Sequence, residues 1–524
     1  MIDRTKLSTG TQSFPALREY GQIYVDKTAM INEIARGRTK VFFARPRRFG
    51  KSLLVSTLVT LFENGLRDFE GLAIEKLWTD TTYLVFHLDF SVIVDFDTVE
   101  DFREKFFAML TETLKEHGFA WSGNEKSFSY EFSSWLKMFP NSSLVVLIDE
   151  YDSPLTRVLN DKALFAGIQK IMSEFFMILK NRETCFRFMF FTGITRLSNT
   201  TIFSGFNNLT DISLDPDYGT LVGYTEDELK KYFGDYLEVA AEKSNVSPKV
   251  LLDLLREYYD GFSFDKECKT HVYCPWSVLN YLGSKRFQFE NYWFQSGGQP
   301  NVLMNYLAMR KLNKPLDFLE TVSMDASQLM SSAPYDKLDV DVLLHQTGYL
   351  TIRGVDEGGG LLLGYPNREV AASMALLYAK VMVSDEQFTV QKLLTNLMRG
   401  EVDKVMDFVN GVFHSLDYQN YAIRDEASLQ GCMQILMIGL SLRPQVEVHT
   451  ARGRSDMEVE VGDKHWVFEF KFARNGVDPN ELCREAVDQI LQRDYGNTLH
   501  GKQLIRVAMV FEAEKRQVTV WEVL

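Results

Sequence analysis

The chain has 524 residues, of which 45% are hydrophobic and 24% are charged, and its formal net charge is −14. This composition excludes a disordered chain, and the length predicts roughly two to four folded domains. The negative charge argues against a broad basic surface for nucleic acid. A charged start, Met1 to Lys6, and the lack of about 18 consecutive apolar residues predict a cytoplasmic protein without a membrane segment.

The first 220 residues alternate short apolar runs with helical patterns. The runs of strand length are 41–44, 83–90, 144–148 and 187–191. Apolar strands separated by helices are typical of a parallel sheet that is buried on both faces. The sequence therefore predicts an α/β fold, with one of its helices running from Ser52 to Glu63 and ending at Asn64 and Gly65.

A phosphate-binding loop is predicted between the first apolar run and this helix. Main-chain amides at a helix start surround phosphate oxygens, a lysine adds charge, and a hydroxyl can ligate Mg²⁺. We predict that the ATP-binding residues of this P-loop are Arg45, Pro46, Arg47, Arg48, Phe49, Gly50, Lys51 and Ser52. The loop departs from the usual pattern because Arg45 stands where a glycine normally begins it.

Two further strand ends support nucleotide chemistry. The strand 144–148 is followed by Asp149 and Glu150, which predicts a Mg²⁺-holding carboxylate and a base for the attacking water. A later strand ends at Thr192 and leads to Arg196, which could sense the terminal phosphate and neutralise developing charge. Each motif alone also fits an ordinary helix cap or turn, so the order of the motifs carries this prediction.

The organisation changes twice along the chain. A mainly helical pattern begins near residue 225, and a new α/β pattern follows after about 385. We predict a P-loop ATPase domain at 1–224, a helical lid or connector at 225–385 and a second α/β domain at 386–524.

A tight hairpin is predicted in the last domain. Two alternating strands, 453–461 and 464–472, are separated by Gly462 and Asp463, and a two-residue loop fixes their register. If Val461 pairs with Lys464, Asp456 faces Glu469. Because side chains alternate along a strand, the polar residues share one face and the apolar residues share the other.

The polar face of this hairpin predicts a metal site. Two facing carboxylates repel each other, and a divalent cation converts the repulsion into ligation. We expect Asp456, Glu469 and the carbonyl of Phe470 to hold Mg²⁺, or Mn²⁺, with Lys471 beside the reacting phosphate. This is the Asp, Glu-x-Lys arrangement of PD-(D/E)XK nucleases, and the competing interpretation is a solvated amphipathic hairpin.

Several segments together resemble bacterial AAA-ATPase-like proteins that carry a C-terminal PD-(D/E)XK nuclease-like domain. They are 24–28, 45–52, 147–152, 203–209, 272–277, 346–351 and 364–367. The resemblance covers nearly the whole chain, and the arginine-led loop is a trait of that family. It also implies a further acid, Glu426 or its neighbour Asp425, and a helix glutamine, Gln489, with Tyr495 six residues later.

The leading hypothesis is an ATPase coupled to a Mg²⁺-dependent DNA phosphodiesterase, with the nucleotide state controlling access to the second site. The alternative is an ATP-switched nucleic-acid-binding or protein-interaction module whose nuclease fold is inactive. Residues 401–524 hold 14 Lys and Arg against 20 Asp and Glu, a balance of −6, which favours the alternative modestly. DNA is the expected partner, and self-association is left open.

Overall fold

The computed structural model describes most of the chain. The described residues are 2–37, 40–159, 161–196, 202–203, 206, 208–293, 320–330, 339–383, 389–419, 421–450, 453–496 and 501–524. Ser204, Gly205 and Asn207, which belong to one of the family-like motifs, lie outside them. Nowhere in these ranges does a helix combine the length and the apolar character that a bilayer crossing requires.

The chain divides into two units, residues 1–306 with 321–367, and residues 307–320 with 368–524. The helical region that follows the first sheet thus belongs mainly to the same unit as that sheet. The boundaries predicted after residues 224 and 385 remain predictions.

The first unit is built on a parallel sheet. Its strands are β1 (Lys40–Ala44), β2 (Leu84–Asp89), β3 (Leu144–Asp149), β4 (Phe186–Gly193) and β5 (Leu209–Asp211). Their order is β2-β3-β4-β1-β5, and all four pairings are parallel. The predicted α/β sheet is confirmed, and β4 separates the strand before the P-loop from the strand that ends in acids.

This unit also contains helices, some of which connect β1, β2, β3 and β4 in chain order, as parallel pairing requires. The described ones are α1 (Phe14–Glu19), α2 (Thr28–Arg36), α3 (Lys51–Asn64), α4 (Val99–Lys115), α5 (Phe128–Leu136), α6 (Ser153–Arg157), α7 (Lys162–Asn181), α8 (Glu226–Lys243), α9 (Pro248–Tyr259), α10 (Pro275–Gly283), α11 (Ala326–Leu329) and α12 (Val340–Thr347). Three further strands, β6 (Val322–Met324), β7 (Thr351–Val355) and β8 (Leu361–Gly364), form an antiparallel sheet.

An aromatic core holds α4, α5 and α7 on one face of the parallel sheet. Phe106 of α4, Phe132 of α5 and Phe175 of α7 are buried together with Phe86 of β2 and Phe191 of β4. α3 contacts β2 and β3, and Gly65 at a φ of +62° ends this helix, as the sequence predicts. Since all strands run the same way, their carboxyl ends meet at one edge, where the P-loop and the acids begin.

The second unit contains a mixed sheet. Its elements are α13 (Arg368–Val383), α14 (Gln391–Arg399), α15 (Val402–Ser415), α16 (Glu426–Gly439), β9 (Gln445–Thr450), β10 (Gly453–Val461), β11 (Lys464–Ala473), α17 (Pro479–Arg493), β12 (Gln503–Glu512) and β13 (Gln517–Val523). The strand order is β13-β12-β11-β10-β9, in which only β11 and β12 pair in parallel. α17 is the crossover between them, and the Asp478 side chain caps its start.

The hairpin formed by β10 and β11 has the predicted register. Val461 lies opposite Lys464, and Met457 lies opposite Phe468. The regular ladder ends at this last pair, so the predicted pairing of Asp456 with Glu469 is not part of it, and Arg454 lies opposite His449 of β9. The strands thus separate beyond Met457, next to the predicted metal site.

Both faces of this hairpin are covered. Apolar residues of α17 pack against Val467 and Ala473 on the face that also carries the predicted site. Glu458 is buried, accepting hydrogen bonds from Ser455 and pairing with His465 at 2.9 Å. The solvated-hairpin interpretation is therefore wrong for Glu458 and Glu469, which are buried, whereas Arg454 and Glu460 of the same face are exposed.

Candidate functional site

A cavity of about 580 Å³ lies beside the P-loop. The loop lines it from Arg47 to Leu54, together with Glu150. The N-terminal segment from Ser8 to Gln12 and a segment that begins at Leu221 also contribute to the wall. The cavity is large enough for a nucleotide-sized ligand, and its wall combines apolar side chains with a few converging polar groups.

The loop presents the start of α3 to this cavity. Gly50 adopts a left-handed conformation at a φ of +95°, and no side chain caps the helix that begins at Lys51. The amides of the first turn are therefore available for an anion. The Lys51 ammonium donates to the carbonyls of Arg45 at 2.9 Å and Pro46 at 3.0 Å, and burial lowers its pKa.

The predicted Mg²⁺ ligands of this site lie together. Asp149 accepts a hydrogen bond from the Ser52 side chain and is almost fully buried. Burial raises the pKa of Asp149, while that hydrogen bond and the charge of Lys51 act in the opposite direction. Burial likewise raises the pKa of Glu150, which lines the cavity. A base with a raised pKa is better matched to proton transfer near neutral pH.

Arg45 and Pro46 are not among the residues that line the cavity. The Arg45 guanidinium donates to the carbonyls of Ala44 at 2.9 Å and Tyr218 at 3.2 Å, and it lies 4.4 Å from the ring centroid of Phe264. Burial lowers its pKa, although an arginine stays protonated at neutral pH. Arg45 therefore supports the loop without lining the cavity, and its contact with the nucleotide remains a prediction.

Two other loop residues are held by the helical region. The Phe49 ring is buried between Phe262 and Phe264, with centroids 4.8 Å and 5.1 Å away. The Arg48 guanidinium lies 4.2 Å above the ring of Trp276, which lines the cavity. The helical region thus fixes the loop, beyond the lid or connector role that the sequence predicts.

Thr192 and Arg196 are the residues predicted to sense the terminal phosphate. The Thr192 hydroxyl is buried and has no hydrogen-bond partner within the described ranges, whereas Arg196 pairs with Asp211 at 3.0 Å. Neither residue lines the cavity. Their sensing roles stay predictions.

Two acids that the sequence analysis did not assign complete this region. Asp152 accepts hydrogen bonds from the amide and hydroxyl of Thr195 at 2.7 Å and 2.6 Å, which ties the acidic loop to the end of β4. Asp89 ends β2 directly beside Asp149, and its charge contributes to the raised pKa of Asp149. Asp89 follows an apolar strand as Asp149 does, so the same signal could have identified it.

The second cluster lies on β10 and β11. Asp456 accepts a hydrogen bond from the Phe470 amide at 2.7 Å, and Lys471 lies 3.3 Å from Glu469. The charge of Asp456 acts on Glu469, so the structure brings the two carboxylates and the ammonium together. The carbonyl of Phe470 remains a predicted ligand.

The charged form of Glu469 is disfavoured in this cluster. It is fully buried, and its Oε2 atom has no hydrogen-bond partner among the described residues. Burial, with the nearby charge of Asp456, raises the pKa of Glu469 to about 7. Lys471 compensates the charge of Glu469 only in part, and a divalent cation would supply the remaining compensation.

The donor set fits Mg²⁺. Within the described ranges, no group of three or more His, Cys, Asp or Glu side chains is placed to hold a metal ion. Asp456 and Glu469 would therefore be the side-chain ligands, and the carbonyl of Phe470 and water would have to complete the shell. Mg²⁺ commonly binds through one or two carboxylates and keeps several waters.

Helix capping distinguishes Asp425 from Glu426, the two candidates for the additional acid. Asp425 caps α16, accepting a hydrogen bond from the Ser428 amide at 2.8 Å. Glu426 opens the helix, and its charge contributes to the raised pKa of Asp456. Glu447 of β9 makes a similar contribution and was not identified from the sequence. The geometry favours Glu426 over Asp425 as the additional acid.

Gln489 lies on α17, which covers the cluster. Its Nε2 atom donates to the hydroxyl of Tyr495 at 3.3 Å, so the expected pair of Gln489 and Tyr495 is in contact. Arg493 donates to the same hydroxyl at 2.9 Å and lies near enough to Glu469 for their charges to interact. No local signal in the sequence distinguishes Arg493 from other helix-surface arginines.

Two family models match separate parts of the chain. One, described as a predicted AAA-ATPase, matches residues 8–203, and the other, the PD-(D/E)XK nuclease superfamily, matches residues 424–521. The chain thus combines a P-loop ATPase-like domain with a nuclease-like domain, as its sequence motifs predict.

A relative shares this whole length. The "Uncharacterized protein in vnfD 5'region" of Azotobacter chroococcum mcd 1 is 30% identical over 533 residues, which cover 99% of this chain and 98% of the relative. The chain belongs to the same family as that protein.

Proposed function

We propose that the protein hydrolyses ATP at the P-loop cavity and cleaves DNA at the Asp456 and Glu469 cluster. The observation that carries the nuclease part is the buried Glu469 oxygen without a partner, placed beside a second carboxylate and an ammonium group. A purely structural hairpin gains nothing from a raised pKa at this position, whereas metal-dependent phosphodiester cleavage needs this set of groups.

In the ATPase part, Lys51 and the amides at the start of α3 bind the terminal phosphates. Ser52 and Asp149 would hold the Mg²⁺ that accompanies ATP. Glu150 lies in the cavity wall, where its carboxylate orients the attacking water and accepts its proton. Arg45 keeps the loop in place through its carbonyl contacts.

In the nuclease part, Asp456 and Glu469 would hold a divalent cation. When bound, the cation activates water and stabilises charge on the phosphate. Lys471 lies beside Glu469, and its ammonium stabilises the charge that develops on the phosphate oxygens. α17 covers this face of the sheet and limits the access of bulk water, which strengthens these charge interactions.

The test is a matrix of ATP turnover and nucleic-acid cleavage by the full chain. Each activity is measured with and without Mg²⁺, Mn²⁺ and nucleotide, on single-stranded DNA, duplex DNA and RNA. Lys51→Ala should abolish ATP turnover, and Lys471→Ala should abolish cleavage. If ATP controls the second site, cleavage by the Lys51→Ala variant should no longer respond to nucleotide.

Matched lysine variants serve as controls. Lys230 is an exposed lysine of the first unit paired with Glu226, and Lys515 is an exposed lysine of the second unit paired with Glu512. Their replacement by alanine should leave both activities unchanged. Undiminished cleavage by the Lys471→Ala variant would contradict the catalytic assignment.

The acidic balance of residues 401–524 favours one alternative, a nuclease fold that binds nucleic acid without turnover. Retention of DNA with no cleavage in either metal, on all three substrates, would support that alternative.

A further inference from the structure

Arg493 differs from the other cations near the carboxylate cluster. Lys471 is paired with Glu469, and Arg454 is paired with Glu447. The hydrogen bond of Arg493 goes instead to a neutral group, the Tyr495 hydroxyl, at 2.9 Å. Its side chain is exposed, and no direct ion pair among the described residues neutralises its charge.

Gly453 makes room for this side chain. A Cβ atom at position 453 would lie 2.4 Å from Cδ of Arg493 and 3.1 Å from its Nε. A distance of 2.4 Å does not occur between non-bonded carbon atoms, so the arginine occupies the place of the missing side chain. Arg493 therefore reaches from the end of α17 to the start of β10.

A second anchor fixes the guanidinium from the helix side. Tyr495 is fully buried, and its hydroxyl accepts hydrogen bonds from both Gln489 and Arg493. Arg493 passes Gly453, three residues before Asp456 on β10, and it lies within range of the charge of Glu469. A guanidinium that is held in this way loses little conformational freedom when it binds a phosphate, and its planar fork matches two phosphate oxygens.

We propose that Arg493 binds a phosphate of the nucleic-acid backbone next to the Asp456 and Glu469 cluster. This inference rests on the proposed nuclease-like function and adds the residue that recruits the polyanion. The inference also explains how DNA binds to a unit of net negative charge, because a cluster of carboxylates needs a local cation to attract DNA. Arg493 is a binding residue in this scheme, whereas Lys471 acts on the reacting phosphate.

The experiment measures DNA binding by the full chain with fluorescence anisotropy. The probes are labelled single-stranded and duplex oligonucleotides, with Ca²⁺ in place of Mg²⁺, over a range of salt concentrations. For duplex DNA, Arg493→Ala should weaken binding about tenfold. It should also lower the slope of log affinity against log salt by about 0.9, the value of one lost phosphate contact. Arg493→Lys should restore the slope because the charge remains, with part of the affinity.

Arg484 of the same helix is the matched control. It is exposed, donates to the Asn480 carbonyl at 3.2 Å, and lies about 13.5 Å from position 493 along the helix axis. Arg484→Ala removes the same charge from the chain, and it should leave both affinity and salt slope unchanged.

A double-mutant cycle tests the role of Gly453. Gly453→Ala should displace the arginine and reproduce the loss seen in Arg493→Ala, whereas the double variant should bind no worse than Arg493→Ala alone. Additive losses would overturn the proposed arrangement, since they would mean that position 453 acts independently.

The outcomes separate this inference from the proposed function. If the unmodified protein cleaves DNA and Arg493→Ala binds with an unchanged salt slope, the inference fails and the nuclease assignment stands. If the unmodified protein binds DNA without cleaving it and Arg493→Ala loses the contact, the inference holds and the nuclease assignment fails. If the unmodified protein neither binds nor cleaves any probe, both are overturned.

Discussion

Replacement of Glu469 by glutamine is the most informative single perturbation of the second unit. The ordinary pKa of a glutamate is 4.5, and burial beside Asp456 raises that of Glu469 to about 7. Between these values the folded protein binds a proton that the unfolded chain does not bind. The stability of the metal-free protein should therefore fall as the pH rises from about 4.5 to about 7, and stay low above that range.

The size of this effect follows from the pKa change. At about 1.36 kcal/mol per unit, the loss amounts to about 3 kcal/mol as an upper limit, because Asp456 titrates in the same cluster. A glutamine carries no charge at any pH. Relative to the unmodified protein, Glu469→Gln should gain up to about 3 kcal/mol between pH 5 and pH 8.

Hydrogen exchange on β11 measures this gain locally, which avoids treating two units as one unfolding transition. In EDTA at pH 8, the amides of this strand should exchange up to roughly 100-fold more slowly in Glu469→Gln than in the unmodified protein. At pH 5 the difference between the two proteins should shrink to about fourfold, because the pH is then only about 0.5 unit above the start of this range.

With Mg²⁺ at pH 8, the β11 amides should exchange more slowly in the unmodified protein than in Glu469→Gln. The cation compensates the Glu469 charge, so β11 of the unmodified protein should gain protection and the glutamine variant should not. If the two proteins exchange alike at pH 8, or differ equally at both pH values, the reasoning about the uncompensated carboxylate is refuted.

Three further predictions concern other elements. Lys51→Ala should remove the rise in melting temperature that ATP with Mg²⁺ produces, and an undiminished rise would contradict the loop assignment. Gly193→Ala should destabilise the first unit by about 1–3 kcal/mol in urea titration, because the added Cβ would lie 2.5 Å from Oδ1 of Asp152, and an unchanged midpoint would count against this packing. Asp425→Ala should lower the free energy of unfolding by about 1 kcal/mol through loss of the α16 cap, while cleavage per folded molecule persists. Glu426→Gln should instead raise the Mg²⁺ concentration that cleavage needs. If Asp425→Ala raises the Mg²⁺ requirement and Glu426→Gln only lowers stability, the two roles are exchanged.

Local patterns predict the strands and the hairpin well. The apolar runs that end at Ala44, Ile148 and Phe191 lie in adjacent strands, since only a doubly buried sheet accommodates such runs. The two-residue loop of Gly462 and Asp463 fixes the pairing of β10 with β11 because the turn leaves no freedom of register.

Side-chain destinations are predicted less well, because they depend on segments distant in the chain. Arg45 and Lys51 belong to one motif, yet Arg45 contacts the carbonyl of Tyr218 and the ring of Phe264 and does not line the cavity. Arg493 extends to the start of β10, where a Cβ atom at position 453 would collide with it. Sequence periodicity identifies the face of a helix, but it does not show which remote backbone a long side chain meets.

The fixation of Phe49 between Phe262 and Phe264 has a consequence for how the protein is made. These rings are separated by more than 200 positions along the chain, so the loop cannot reach its final form while the ribosome has synthesised only the first sheet. Pairings between such remote segments are slow to form, because a large loop of polypeptide must be closed first. If the protein binds ATP as proposed, a nascent chain should gain this ability only after its helical region has emerged from the ribosome.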